Sequence, residues 1–530
     1  MMTVDAPAVA QLPYGVGRFS RRWVTLVVGL LVVVGIGLFA YITQLRDGFV
    51  VTGMRDIGPM GGADWALYIA FDVFFVGLSF AGITIAVLIR LAHVERMRPV
   101  ARMAELLTVV SLIVAAMAVM ADVGRPLQGI VNLFKYARPQ SPFFGTFTLV
   151  VSGYLFASVV YLYLDGRRDA ATCARVPGRL QRFHRIWAAG YRDTPRERAR
   201  HNRTAVWLAV AILPLLITAH STLGFVFGLQ VGRPGWNSAL QAPAFIVLAG
   251  ASGTGMLLVI AAVLRRTLPS GDQLDEGVFK WLGRALAILV VVYLYFMVVE
   301  LLTTIYSGEE NEQAFTDAIL GGQYAWIFWL SVATLLGTLA ALTFKWAGKR
   351  VGIGWYVAAG LLVQIAAVGK RFLIVVPSQT EGTLLPYEPG SYSPSWVEIS
   401  IIVGLLALAT LLYAVFVRVF PIMEIEDQSP ANVASAPQPD ESPSLRERDR
   451  RVTVVAIVMV IVGLTLQVVS YLALAAPLGI SATADDSNPR VPYAPLIFIF
   501  GVILVFLAAV VYELLPARLA ARHSARHAVT

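Results

Sequence analysis

About a dozen apolar runs, each long enough to cross roughly 30 Å of hydrocarbon as a helix, punctuate this chain. They lie near 23–45, 64–89, 103–121, 142–164, 204–229, 240–264, 279–306, 323–344, 353–376, 396–417, 452–476 and 493–514. In lipid every backbone N–H and C=O must be satisfied within the protein, and for runs of this length the helix does so. The sequence therefore predicts an all-α polytopic membrane protein of about 12 transmembrane helices. Composition agrees. Of 530 residues, 57% are hydrophobic and 14% charged, against about 25% charged in ordinary soluble domains.

The charges that remain are distributed unevenly. Of the 42 Lys and Arg, 32 fall in the N-terminus, alternate connections and the C-terminus, 7 in the opposite connections, and Arg284, Lys370 and Arg371 within spans. Cytoplasmic loops retain Lys and Arg, so both termini are expected in the cytoplasm. The net charge of +9 is thus a topology signal and gives no reason to expect nucleic acid. Five regions follow: an N-terminal segment 1–22, a ten-helix body 23–421, a Pro/Ser-rich linker 422–450, a two-helix hairpin 451–515 and a basic tail 516–530.

Resident metal cofactors find few ligands. Cys173 is the sole cysteine, and of six histidines only His220 lies within a span. No iron–sulfur cluster is expected, and a membrane haem, usually held by paired axial histidines, is not expected either. No other metal site is expected. A redox role would require a diffusible carrier and a partner that holds the metals.

Within the body, span two carries Gly77-x-Ser79-x-x-Gly82 and span six carries Gly250-x-Ser252-x-x-Gly255. Small residues at such spacing let membrane helices approach closely. Each motif is followed one span later by an acid near the outer end, Asp122 and Glu300. Two parallel four-helix units, spans two to five and six to nine, fit this echo.

With about 1.5 Å of rise per residue, the intramembrane polar groups gather toward the outer side. They are Asp72 in span two, Asp122 and Arg125 at the exit of span three, and His220-Ser221 in span five. Trp236-Asn237 follow in the next loop, Glu300 stands near the exit of span seven, and Lys370-Arg371 near that of span nine. Such groups usually face a cavity or a partner. A pocket of this kind suits quinol oxidation: a carboxylate or His takes the hydroxyl protons, and a cation steadies developing negative charge.

Several segments carry a resemblance. Asp122-Val-Gly-Arg-Pro126, Ser141-Pro-Phe-Phe-Gly145, Ala219-His-Ser-Thr-Leu-Gly-Phe225 and Pro234-Gly-Trp-Asn-Ser238 occur in that order. Glu300 to Gly308, Arg371-Phe-Leu-Ile-Val-Val376 and Tyr392-Ser-Pro-Ser-Trp-Val-Glu398 follow. Together they resemble the NrfD/PsrC family, the membrane subunits of polysulfide reductase and related complexes. They look most like the branch of alternative complex III and periplasmic-facing hydrogenase membrane subunits.

The resemblance implies a haem-free quinone-binding body of two four-helix bundles plus flanking helices, in a bacterial or archaeal plasma membrane. Menaquinone or ubiquinone is the implied cofactor. An extracytoplasmic iron–sulfur protein is the implied electron partner, with a molybdopterin enzyme, hydrogenase or multihaem cytochrome beyond it, and a second membrane subunit alongside as a further option. His220 is the implied ring-contacting proton acceptor, with Asp122, Asp72 and Glu300 as further catalytic candidates. Arg125, Ser221, Trp236, Asn237, Lys370 and Arg371 are the ring-binding candidates. Asn237 departs from a histidine expected in the alternative complex III form of its motif, and the final hairpin departs from the ten-helix pattern.

Proton translocation is a related expectation in such a family. Few ionisable groups continue toward the cytoplasm, so protons are expected to leave outward through Asp64 and Asp122. An inert anchor and a secondary transporter are the competing readings. The first grips soluble subunits without reacting with quinol; the second moves a solute.

Overall fold

The computed structural model describes residues 12–57, 65–136, 153–269, 271–343, 352–381, 390–425, 443–474, 491 and 493–527. Asp64, the Ser141–Gly145 motif and linker residues 426–442 lie outside the described residues. The described elements are helical, and 11 helices are long and apolar enough to cross a membrane.

With the shorter apolar helix Gly153–Asp165, they follow the predicted spans in order. We number them α1 (Arg21–Asp47), α2 (Leu67–Arg90), α3 (Arg98–Asp122), α4 (Gly153–Asp165), α5 (Pro195–Gly228) and α6 (Gln241–Thr267). Then come α7 (Glu276–Ser307), α8 (Ala325–Thr343), α9 (Ile353–Val375), α10 (Trp396–Val419), α11 (Pro443–Val469) and α12 (Ala494–His527). The first part of span four lies outside the described residues.

Helix ends are set by local chemistry. Thr194 and Glu197 form a reciprocal capping box at the start of α5, with Pro195 in the first turn, and Ser395 and Glu398 do the same for α10. Asp275 caps α7 by accepting from the Val278 N–H at 2.9 Å. The capping box explains why α5 begins some nine residues before its apolar run: the polar first turns stand clear of the hydrocarbon.

The expected duplication is present in the packing. Helices α2 to α5 each lie against the next, and α5 closes back on α2; α6 to α9 form a second ring in the same way. The rings join where α2 meets α6 and α9, and where α5 meets α6. The two glycine-serine segments meet at this seam through Gly77 and Ser252, while Gly82 packs on α3 and Gly255 on α9. A methyl group at Gly77 would stand 3.3 Å from Ser252 Oγ, and one at Gly253 would stand 3.0 Å from the Ala81 nitrogen.

Helix α1 pairs with α10 beside the first bundle, also at a small-residue crossing: an added methyl at Gly37 would lie 2.9 Å from Gly404 Cα. The α11–α12 hairpin packs on α4 and α5, and on a short helix, Pro126–Tyr136.

At the end opposite the predicted pocket lies a polar network that the sequence analysis did not anticipate. The Arg102 guanidinium, 1% exposed, donates to Asp169 at 2.5 Å, to Asp165 at 3.1 Å and to the Pro421 carbonyl at 3.1 Å. Arg90 donates to the other oxygen of Asp165 at 3.0 Å. Arg102 and Asp165 read as loop residues in the sequence because apolar runs stop before paired charges. A second set ties the hairpin to the body: Arg167 donates to Glu513 at 2.7 Å, and His201 Nδ1 lies 3.2 Å from the same carboxylate.

Candidate functional site

Six of the ten predicted site residues divide between two cavities, one in each bundle. The first, about 270 Å³, lies between α2, α3, α5 and the short helix Pro126–Tyr136. Its wall is mostly apolar: Ile69 and Val73 from α2, Leu223 and Val226 from α5, with the rings of Trp65 and Phe227 at one side. Asp72 and Asp122 are its two carboxylates. Asp72 is 6% exposed. Its position follows from helix periodicity, since Ile69, Asp72 and Val73 recur on one face.

The exit of α3 is held by groups whose role was not legible in sequence. Gln44 of α1, 2% exposed, donates to the Ala121 carbonyl at 2.6 Å and accepts from the Tyr68 hydroxyl at 2.5 Å. The Tyr41 hydroxyl donates to the Met120 carbonyl at 3.3 Å. These bonds fix the backbone of the two residues immediately before Asp122.

The second cavity, about 550 Å³, lies between α6, α7, α9 and another short helix, Glu310–Leu320. Glu300, Lys370, Arg371 and Asn237 all line it. The Arg371 guanidinium lies 4.0 Å from the Phe245 ring centroid and donates to the Phe245 carbonyl at 3.3 Å. Glu300 accepts from Gln241 Nε2 at 3.2 Å. Glu312, on the short helix, accepts from the Gly235 N–H at 3.0 and 3.1 Å, and partial burial holds its carboxyl above the usual range.

An aromatic partition connects the two. Trp236 stacks on Trp65 at 6.0 Å and meets Phe227 edge-on at 5.0 Å, both of which line the first cavity. Its indole N–H donates at 2.5 Å to the carbonyl of Ile374, which lines the second. Trp236 is thus behind both walls and lines neither cavity itself.

His220 and Ser221 line neither cavity, and Arg125 is exposed beyond the end of α3. His220 is 1% exposed; its Nδ1 lies 2.8 Å from the Leu216 carbonyl and its Nε2 3.1 Å from that of Val76. A neutral imidazole has one N–H, so one of these nitrogens turns its lone pair to an oxygen unless the ring is protonated. Val76 lies just before the break at Ser79, where α2 divides into Leu67–Leu78 and Phe80–Arg90. The carbonyl freed at that break, on Ser79, accepts from Thr108 Oγ1 at 2.6 Å and from the Tyr154 hydroxyl at 2.7 Å. His220 therefore sits with a set of groups that satisfy the interrupted helix one turn from Leu223. Glu398 likewise serves the fold: besides capping α10 it accepts from the Gly53 N–H at 2.7 Å.

Residues 57–381 match the family described as polysulphide reductase, NrfD. The chain belongs to that family. Among similar proteins is one of Halobacterium salinarum named for a dimethyl sulfoxide reductase membrane subunit, 30% identical over 77% of this chain and 92% of the relative. A selenate reductase subunit of Mesobacillus selenatarsenatis is 24% identical over 73% and 91%. The Hdr-like menaquinol oxidoreductase integral membrane subunit of Archaeoglobus fulgidus is 25% identical over 76% and 94%. This NrfD chain is an integral, multi-pass membrane protein of a kind that works as a subunit of oxidoreductase complexes. The family match ends at residue 381, so it takes in both bundles and leaves α10 and the final hairpin outside.

Proposed function

We propose that this chain is the quinol-reactive subunit of a respiratory oxidoreductase complex in a bacterial or archaeal plasma membrane. It exchanges electrons between a membrane quinol and an iron–sulfur subunit docked on the outer face. The observation that carries this reading is the first cavity, an apolar ring-sized slot with two carboxylates. Ligand pockets for larger molecules run to about 300–1,000 Å³; this one, at about 270 Å³, suits a ring with the start of its tail. The menaquinol named for the Archaeoglobus relative supports menaquinol as the carrier.

Oxidation of a quinol to a quinone releases two electrons and two protons. The electrons leave with the docked partner. Asp72 and Asp122 each stand on the cavity wall as proton acceptors, and Asp122, at the end of α3, offers the way out. Trp65 and Phe227 hold the ring by aromatic contact and exclude water from it. His220 acts through α2, keeping the segment that carries Asp72 in place.

The test fills the slot. Ile69→Trp puts an indole into the first cavity, and purified complex carrying it is expected to retain far less bound quinone than the unaltered complex, with every subunit still present. Equal quinone content in the two preparations would reject the first cavity as the quinol site.

A further inference from the structure

The second cavity occupies the same position in its bundle as the first does in its own. Each takes wall residues from the first, second and fourth helices of its bundle and from an 11-residue helix that follows the second, and the second cavity adds Phe328 of its third helix. The duplication of the fold has therefore duplicated the cavity. We propose that the second cavity is a separate binding site for a quinone-class ring, independent of the first. The proposal rests on the reading of the first cavity as a quinol site and extends it to the repeat.

The wall carries both hydrogen-bond donors and an acceptor. Arg371, 4% exposed, makes one hydrogen bond among the described residues, to a backbone carbonyl. A guanidinium has five N–H donors, so donors remain for an oxygen inside the cavity, and Lys370 lines the wall beside it. Glu300, oriented by Gln241, accepts a hydroxyl proton or hydrogen bond. Met297, Leu373 and Ile374 supply apolar wall, and the rings of Phe245 and Phe328 lie under the Arg371 guanidinium and the Lys370 ammonium.

A ring with two oxygens finds donors in Arg371 and Lys370 and an acceptor in Glu300 on the same wall. An anionic lipid headgroup fits less well, because Glu300 and Glu312 share the wall with the two cations. The volume, about twice that of the first cavity, admits the ring and more of its tail. Trp236 and Phe227 stand between the two sites, so occupancy of one does not require the other.

The experiment uses the intact complex in lipid nanodiscs, a photoreactive azido-naphthoquinone as probe, and mapping of the labelled peptides. Labelling is expected on two separate sets of peptides, one from α3 and Pro126–Tyr136, the other from α7 and Glu310–Leu320. Arg371→Gln and Lys370→Gln are each expected to weaken labelling of the second set by about tenfold, as loss of a charge-assisted hydrogen bond does, while the first set stays labelled. Arg371→Lys, which keeps the charge, is expected to retain part of it and controls for misfolding.

Label on the first set alone overturns the second site and leaves the first reading intact. Label on the second set alone overturns the reading of the first cavity and keeps the second site. Label on neither overturns both. Second-set labelling that phosphatidylglycerol abolishes and phosphatidylcholine does not would show a headgroup site and overturn the proposal.

Discussion

Buried charge decides most of what single residues do here. Arg102 balances Asp165 and Asp169 in the interior, and removing it leaves Asp169 without its cation and Asp165 with Arg90 alone. Arg102→Ala is expected to cost about 3–5 kcal/mol, read as a marked fall in the thermal unfolding temperature of the detergent-solubilised protein. An unchanged transition would mean that water reaches this network.

Cys173 makes a second, cheaper test. Burial pushes its thiol up to about 12, with the Asp169 carboxylate adding to the shift. The reactive species is the thiolate, so the folded protein is expected to resist maleimide at pH 7 and to gain little between pH 7 and pH 9. Denatured protein labels readily. Fast labelling of the folded protein would show that the short helix Arg167–Cys173 is open to solvent.

At the scale of elements, the helix crossings carry the strongest expectations. Gly37 and Gly404 bring α1 and α10 into backbone contact, so Gly404→Leu is expected to push them apart at a cost of about 1–3 kcal/mol and to loosen α1, whose Gln44 and Tyr41 brace the exit of α3. Limited proteolysis near Gly48 reports that loosening, and an unchanged pattern would argue against the brace. The order of the spans was legible in the sequence because hydrophobic run length is a local property; the start of α5, the start of α11 and the end of α12 were not, since polar turns carry these helices past their apolar runs.

The break in α2 at Ser79 was not legible. It depends on Thr108, Tyr154 and His220, which come from three other helices. Depth along a helix follows from rise per residue, so the sequence rightly placed Asp72, Asp122, Glu300 and Lys370 toward one end of their spans. Which of them share a cavity depends on lateral packing, which no count of residues supplies. A single pocket was therefore the natural expectation, and the structure divides its members between two. Trp65, Phe227, Gln241 and Tyr68 escaped notice for the same reason: aromatic and amide groups at a helix end are common, and only their neighbours mark these.

For the whole molecule, two like bundles meet at a seam of small residues; Asp72, Asp122, Glu300, Lys370 and Arg371 lie in two cavities at one end, and the Arg102 network lies at the other. The Lys and Arg asymmetry predicts that the cavity end faces outward. A cytoplasm-active reporter fused after Thr530 is expected to be active, and an inactive fusion would invert the assignment and put the docking face inside.

The central claim is that the first cavity accepts protons from a quinol, and Asp72 is its most buried acid. The direct measurement is quinol-dependent reduction of the partner subunit by intact complex carrying Asp72→Asn, with assembly checked in the same preparation. The amide keeps the shape and removes the proton acceptor, so the rate is expected to fall by about a hundredfold, in the range that general-base groups contribute. A fully assembled complex turning over at the unaltered rate would contradict the account.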